Sequence, residues 1–81
     1  MKIKYTFKVE ALCPVDHKGD VYECILRSEK PIPVERILEC VQQYKTLELF
    51  QEDLAYNLSR QLFCKVELVG YHSGVKVRVV A

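Results

Sequence analysis

The sequence predicts an α+β fold with the element order β-β-α-α-β-β, a four-stranded antiparallel sheet carrying two helices on one face. Three observations predict it. Apolar residues alternate with period two near both ends of the chain, they recur at helical spacing through the middle, and turn-forming residues separate the segments.

The first strand covers residues 2 to 12, with Ile3, Tyr5, Phe7, Val9 and Ala11 on one face and Lys2, Lys4, Thr6, Lys8 and Glu10 on the other. Cys13-Pro14-Val15-Asp16-His17-Lys18-Gly19-Asp20 breaks the period with residues that populate turns. Alternation resumes from Val21 to Ser28, where Tyr22, Cys24 and Leu26 share the apolar side. Pro31 and Pro33 then end the strand and suit a helix that starts near Val34. Val34, Ile37, Leu38, Val41 and Tyr44 form its predicted inner stripe. After a break at Lys45-Thr46, Phe50, Leu54, Leu58 and Leu62 repeat every fourth residue, with Ala55 beside them, as a second helix ending near Phe63. Cys64, Val66 and Leu68 mark a third strand and Val75, Val77 and Val79 a fourth. His72-Ser73-Gly74 is the hairpin turn between them. A helix pair in the middle argues against β-α-β-β-α-β, which places a helix between the first two strands.

Eighty-one residues, 49% hydrophobic and 28% charged, suit one domain spanning 1–81 and exclude a disordered chain. A domain this small hides only about 60% of its unfolded surface, so association with further copies is expected. No apolar run approaches the roughly 18 to 20 residues of a membrane span, and no signal-peptide core follows the first residues, so a cytoplasmic location is expected. Cys13, Cys24, Cys40 and Cys64 lack Cys-x-x-Cys pairing and read as reduced thiols. The net charge of +1 does not announce a nucleic-acid binder. The predicted outer sheet face is nevertheless basic: Lys2, Lys4, Lys8, Arg27, Lys65, Lys76 and Arg78 face Glu10, Glu23 and Glu67. That surface suits phosphate contact and a solvated wall equally well.

Cys24, Cys40 and Cys64 fall on or beside apolar faces and read as small core residues. Cys13 instead opens a polar loop, where a thiol beside Lys18 or His17 can be activated as a nucleophile; an unreactive strand-end thiol fits the spacing as well. Asp20 stands seven residues on, where folding of the loop can bring a carboxyl back to the thiol for proton transfer; alone, it is also an ordinary turn residue. His17 is a second candidate base, more often simply solvated. Cys13, His17, Asp20 and His72 are acceptable metal ligands, but no paired knuckle sets a zinc geometry, and no metal is expected. Glu52 opens the second helix, where a carboxylate suits the helix dipole. It can also accept two hydrogen bonds from the ring N–H and exocyclic amine of a guanine-like base. Glycine-rich phosphate loops and serine nucleophile elbows are absent.

Leu12-Cys13-Pro14-Val15 with Asp20 seven positions beyond the cysteine resembles the active-site segment of the nitrile-reductase QueF family of the tunnel fold. Phe50-Gln51-Glu52-Asp53 is similar to that family's helix-opening segment, and Gly74-Val75-Lys76-Val77 to its terminal strand. The matched points run from about residue 7 to residue 79. The resemblance implies that Cys13 attacks the nitrile carbon of a 7-cyano-7-deazaguanine group to form a thioimidate, that Asp20 moves the proton, and that Glu52 holds the base edge. It also implies a homo-oligomeric ring with pockets at subunit boundaries. Two departures bear on the reaction. The family's Glu-Ser-Lys-Ser-Leu-Lys-like cofactor segment is replaced by Glu35-Arg36-Ile37-Leu38-Glu39-Cys40, and Gln51 stands where the family has an active-site histidine. The pattern looks more like the compact archaeal QueF-like branch, archaeosine synthase. That implies no cofactor, with ammonia as the nitrogen donor and transfer RNA as the carrier of the nitrile. An NADPH-dependent reductase, a noncatalytic tunnel-fold binding module and a zinc-dependent cyclohydrolase-like enzyme are the alternatives.

Overall fold

The computed structural model describes residues 1–81 in the order β1 (Ile3–Leu12), β2 (Gly19–Ser28), α1 (Val34–Tyr44), α2 (Gln51–Leu62), β3 (Lys65–His72) and β4 (Val75–Val80). The four strands form one antiparallel sheet ordered β1-β2-β3-β4, so every strand neighbours the next in sequence. The expected element order and sheet type hold. β2 begins at Gly19, earlier than the alternation suggested, because Leu12 and Gly19 already pair across the hairpin. The second turn is tighter than expected: His72 pairs with Val75, leaving only Ser73 and Gly74 at φ 52° and 82°. Two successive positive φ values match the right-handed twist of the flanking strands.

Both helices cover one sheet face. Val9, Ala11, Tyr22, Cys24, Leu26, Val66 and Leu68 point from the strands into a core closed by Leu54, Ala55, Leu58 and Leu62 of α2 and by Ile37, Cys40 and Tyr44 of α1. Val34 and Leu38, expected inside, lie outside at 56% and 55% exposure. α1 meets the core along Ile37, Cys40 and Tyr44, a narrow stripe at i, i+3 and i+7, and residues 34 and 38 fall beside it. Phe50 is likewise half exposed, since it caps α2 and the buried first position is Gln51. Arg36 Nη2 of α1 donates to the Gln61 carbonyl at 2.9 Å, satisfying a C-terminal acceptor of α2. The Tyr5 hydroxyl accepts the Ile32 N–H at 2.8 Å and fixes the approach to α1.

The outer face is less uniformly basic than its charged residues suggest. Register places Val21, Ile25, Val69, Tyr71 and Val80 among them, and Glu67 pairs with both Arg27 (3.3 Å) and Arg78 (3.1 Å). Two cations of the seven are therefore already matched by one carboxylate.

Burial sets an alkaline limit on the fold. It pushes the Cys24 thiol, with the nearby Cys64 adding to the effect, from an ordinary 9.0 to about 12. Burial also raises Cys64, Cys40 and Tyr44. The folded state thus holds protons that the unfolded chain releases, and the associated stability is complete below about pH 9 and lost as pH rises toward about 12. The urea midpoint is expected to fall across that window; a midpoint unchanged to about pH 11 would contradict it.

Candidate active site

The β1–β2 connection is a tight, internally bonded loop. Cys13 N–H donates to the Lys18 carbonyl at 2.7 Å, and the Cys13 carbonyl accepts the His17 N–H at 2.8 Å. His17 takes φ 62°, a conformation in which its ring points away to pair with Glu48. Leu12 is held in turn by the segment before α2, donating to the Leu47 carbonyl (2.9 Å) and accepting from the Leu49 N–H (3.1 Å). The end of β1 and the start of α2 are thereby tied together although 36 residues lie between Cys13 and Phe50. This tie opens a pocket of about 190 Å³ lined by Cys13, Pro14, Val15, Asp20, Tyr22, Leu49, Phe50, Gln51, Glu52 and His72.

Cys13, Asp20 and Glu52, far apart in sequence, converge here from the end of β1, the start of β2 and the first turn of α2. His17 does not line the pocket; it is exposed on the loop. No group of three or more His, Cys, Asp or Glu side chains is placed to share a metal ion. Among the cysteines, Cys24 and Cys40 are buried as expected, and Cys64 is half-buried beside the core.

Three further polar residues, Tyr22, Gln51 and His72, line the pocket. Beside the pocket, Asp16 accepts the Lys18 N–H (3.0 Å), which lowers its carboxyl. Tyr22, read from alternation as a core residue, is 2% exposed, and its hydroxyl reaches Asp20 Oδ2 at 3.5 Å. Burial first, then the Asp20 charge, pushes that hydroxyl up to about 12, so it remains a donor. Gln51 is also 2% exposed; its Nε2 donates to the carbonyls of Leu68 and Val77, each at 3.0 Å, clamping α2 to β3 and β4. Its Oε1 lies 2.8 Å from His72 Nε2. His72, expected in a turn, is the last residue of β3 and brings an imidazole into the pocket beside Gln51. Its ring packs on Tyr22 with centroids 5.9 Å apart and planes at 48°, and its Nδ1 stands 4.0 Å from Asp20 Oδ2. Two cues pointed this way: His72 is one hairpin from strand residues of the apolar face, and Gln51 is a polar residue inside an apolar helix stripe.

The chain matches no family model and no curated protein. Among solved structures it is similar to the crystal structure of the archaeosine synthase QueF-Like in its apo form. The TM-score is 0.86 at 23% sequence identity, over 99% of this chain and 90% of that chain. A likeness of that extent shows a shared backbone architecture: this protein has the tunnel fold, in the form seen in QueF-Like.

Proposed function

We propose that this protein is a transfer-RNA-modifying, archaeosine synthase-like enzyme that converts the nitrile of 7-cyano-7-deazaguanine to a formamidine with ammonia. The observation that carries the reading is the convergence of Cys13, Asp20 and Glu52 on one pocket, in a chain that shares its fold with an archaeosine synthase.

The chemistry asks for little beyond these residues. The Cys13 sulfur adds to the nitrile carbon as its thiol proton reaches the nitrile nitrogen through Asp20, giving a neutral thioimidate. Ammonia adds to the same carbon, and the C–S bond breaks. One proton of the ammonia returns to sulfur, and the product is the nitrile plus one ammonia. No electrons are exchanged, so no hydride donor enters, in keeping with a helix segment that lacks the reductase pattern. Glu52 accepts from the base's ring N–H and exocyclic amine. A base held within structured RNA has to be turned out of its stack to reach Cys13.

The pocket is smaller than the roughly 300–1,000 Å³ usual for small-molecule sites. Edge strands β1 and β4 also leave backbone groups free for pairing. Both features support a homo-oligomer in which a second copy supplies the remaining wall.

The test is intact-mass analysis of the protein with 7-cyano-7-deazaguanine, followed by ammonia and transfer RNA carrying the nitrile base. A mass gain of one ligand, then a formamidine in the RNA, is the expected outcome. Absence of any adduct at saturating ligand rejects the reading, and NADPH oxidation with an amine product assigns the reductase instead. Glu52→Gln is expected to weaken ligand binding about 10- to 100-fold, as loss of charge-assisted hydrogen bonds does. Unaltered affinity by calorimetry would remove Glu52 from base recognition.

A further inference from the structure

The pocket contains one imidazole, His72, that the reaction above does not use, and its surroundings determine which nitrogen carries the proton. Gln51 Nε2 has two hydrogens, and both are taken by backbone carbonyls, Leu68 and Val77. Turning the amide over would set its oxygen against two carbonyl oxygens in a buried site, so Oε1 has to face His72. An acceptor at 2.8 Å requires a donor opposite, which makes the His72 nitrogen Nε2–H. In the neutral ring Nδ1 is then a bare lone pair, and it stands 4.0 Å from Asp20 Oδ2. A lone pair facing a carboxylate oxygen is favourable only when a proton lies on one of the two or a water bridges them. Tyr22, packed against the ring and donating to the same Asp20 oxygen, holds both groups in place.

We propose that His72 is a positioning residue of this site: Gln51 locks it as the Nε2–H tautomer, so that Nδ1 and the Asp20 carboxyl hold one proton between them, the proton that Asp20 relays during turnover. The inference rests on the function proposed above. The pair holds one proton before and after the step: as Asp20 delivers it to the nitrile nitrogen, the Cys13 thiol proton enters the pair in its place, and sulfur regains a proton from ammonia when the C–S bond breaks. Proton number balances and no oxidation state changes. The other ionisable groups lining the same pocket are Cys13 just after β1, Tyr22 from β2 and Glu52 from α2. β4 sets Val75 opposite His72, and register puts Lys76 opposite Tyr71 on the far face. The imidazole that the helix-opening motif lacks at position 51 is thus provided from β3, with Gln51 as its anchor.

Nitrogen-15 NMR of histidine-labelled protein, at a pH where His72 is neutral and without ligand, reads the lock directly. The expected tautomer is Nε2–H; a predominant Nδ1–H ring overturns the proposal whatever the enzyme does. His72→Phe keeps a ring against Tyr22 and removes both nitrogens. It is expected to slow single-turnover adduct formation at Cys13 about 100-fold, the lower end of what a positioned proton carrier supplies, with ligand affinity unchanged. His72→Ala is expected to slow it similarly and to regain rate when free imidazole is added. Wild-type rates in both variants overturn the role, and so does a parallel loss of affinity without imidazole rescue, which marks a purely structural ring. If the wild-type protein forms no adduct, the functional reading fails, and the tautomer measurement still decides the lock.

Discussion

Alanine at position 13 is expected to abolish the ligand-sized mass gain and to lower turnover by several orders of magnitude, with ligand binding retained. The loop that presents Cys13 is held by its backbone, through the Lys18 carbonyl and the His17 N–H, so removing one sulfur leaves the loop's hydrogen bonds in place. No other thiol can substitute. Cys24 is fully buried with its thiol pushed up to about 12, and burial also raises Cys40 and Cys64; none of the three lines the pocket. A thiol so strongly held in its protonated form is a poor nucleophile near neutral pH. An adduct of undiminished yield in Cys13→Ala would place the reacting atom elsewhere and reject the thioimidate. Adduct loss together with loss of ligand binding would instead report a damaged pocket, which calorimetry on the same variant separates.

Gly70→Ala is expected to cost about 3 kcal/mol, near the upper end of ordinary overpacking, and to slow the reaction as well. A Cβ at Gly70 would lie 2.7 Å from Cε1 of Tyr22 and closer still to Cδ1. Real carbon contacts do not approach so closely, so the ring or the strand has to move. Tyr22 is 2% exposed, packed at a tilt against His72 and bonded to Asp20, which leaves the ring little room to yield. Displacing it shifts two pocket residues that Gly70 itself never touches. Urea denaturation checks the stability cost and single-turnover kinetics the rate. A wild-type midpoint would mean that the ring relaxes freely, contrary to the packing described. In a domain whose whole stability is on the order of 5–15 kcal/mol, a cost of this size is visible in the folded fraction under mild denaturant.

Most of the backbone was legible from local pattern. Ile3 to Ala11 and Tyr22 to Leu26 alternate because a strand sends successive side chains to opposite faces, and Leu54, Leu58 and Leu62 recur because a helix returns to the same face every fourth residue. Where burial depended on a neighbour's width, pattern was a weaker guide. Leu38 and Val34 have the spacing of a core stripe, yet α1 meets the core along a face too narrow to include them. Tyr71 and Val21 are apolar on the charged side of the sheet because β2 and β3 place them there by register.

Cys13 stood out as a thiol that opens a polar loop, while Asp20 and Glu52 alone read as a turn residue and a helix-start acid and gained their roles from the resemblance of their segments to the QueF family. Tyr22, a phenol on an apolar strand face, carries no such mark, and Gln51 and His72 carry only weak ones, an amide in an apolar helix stripe and a histidine beside a hairpin turn. Near neighbours along the chain set the order of strands and helices and the inward faces of the sheet, whereas Cys13, Asp20 and Glu52 took their proposed roles from that resemblance. The placement of His72 between Gln51, Tyr22 and Asp20 emerges from the assembled fold alone. That arrangement requires the register of β2, β3 and β4 and the docking of α2 to agree within hydrogen-bonding distance, and no short stretch of residues contains that information.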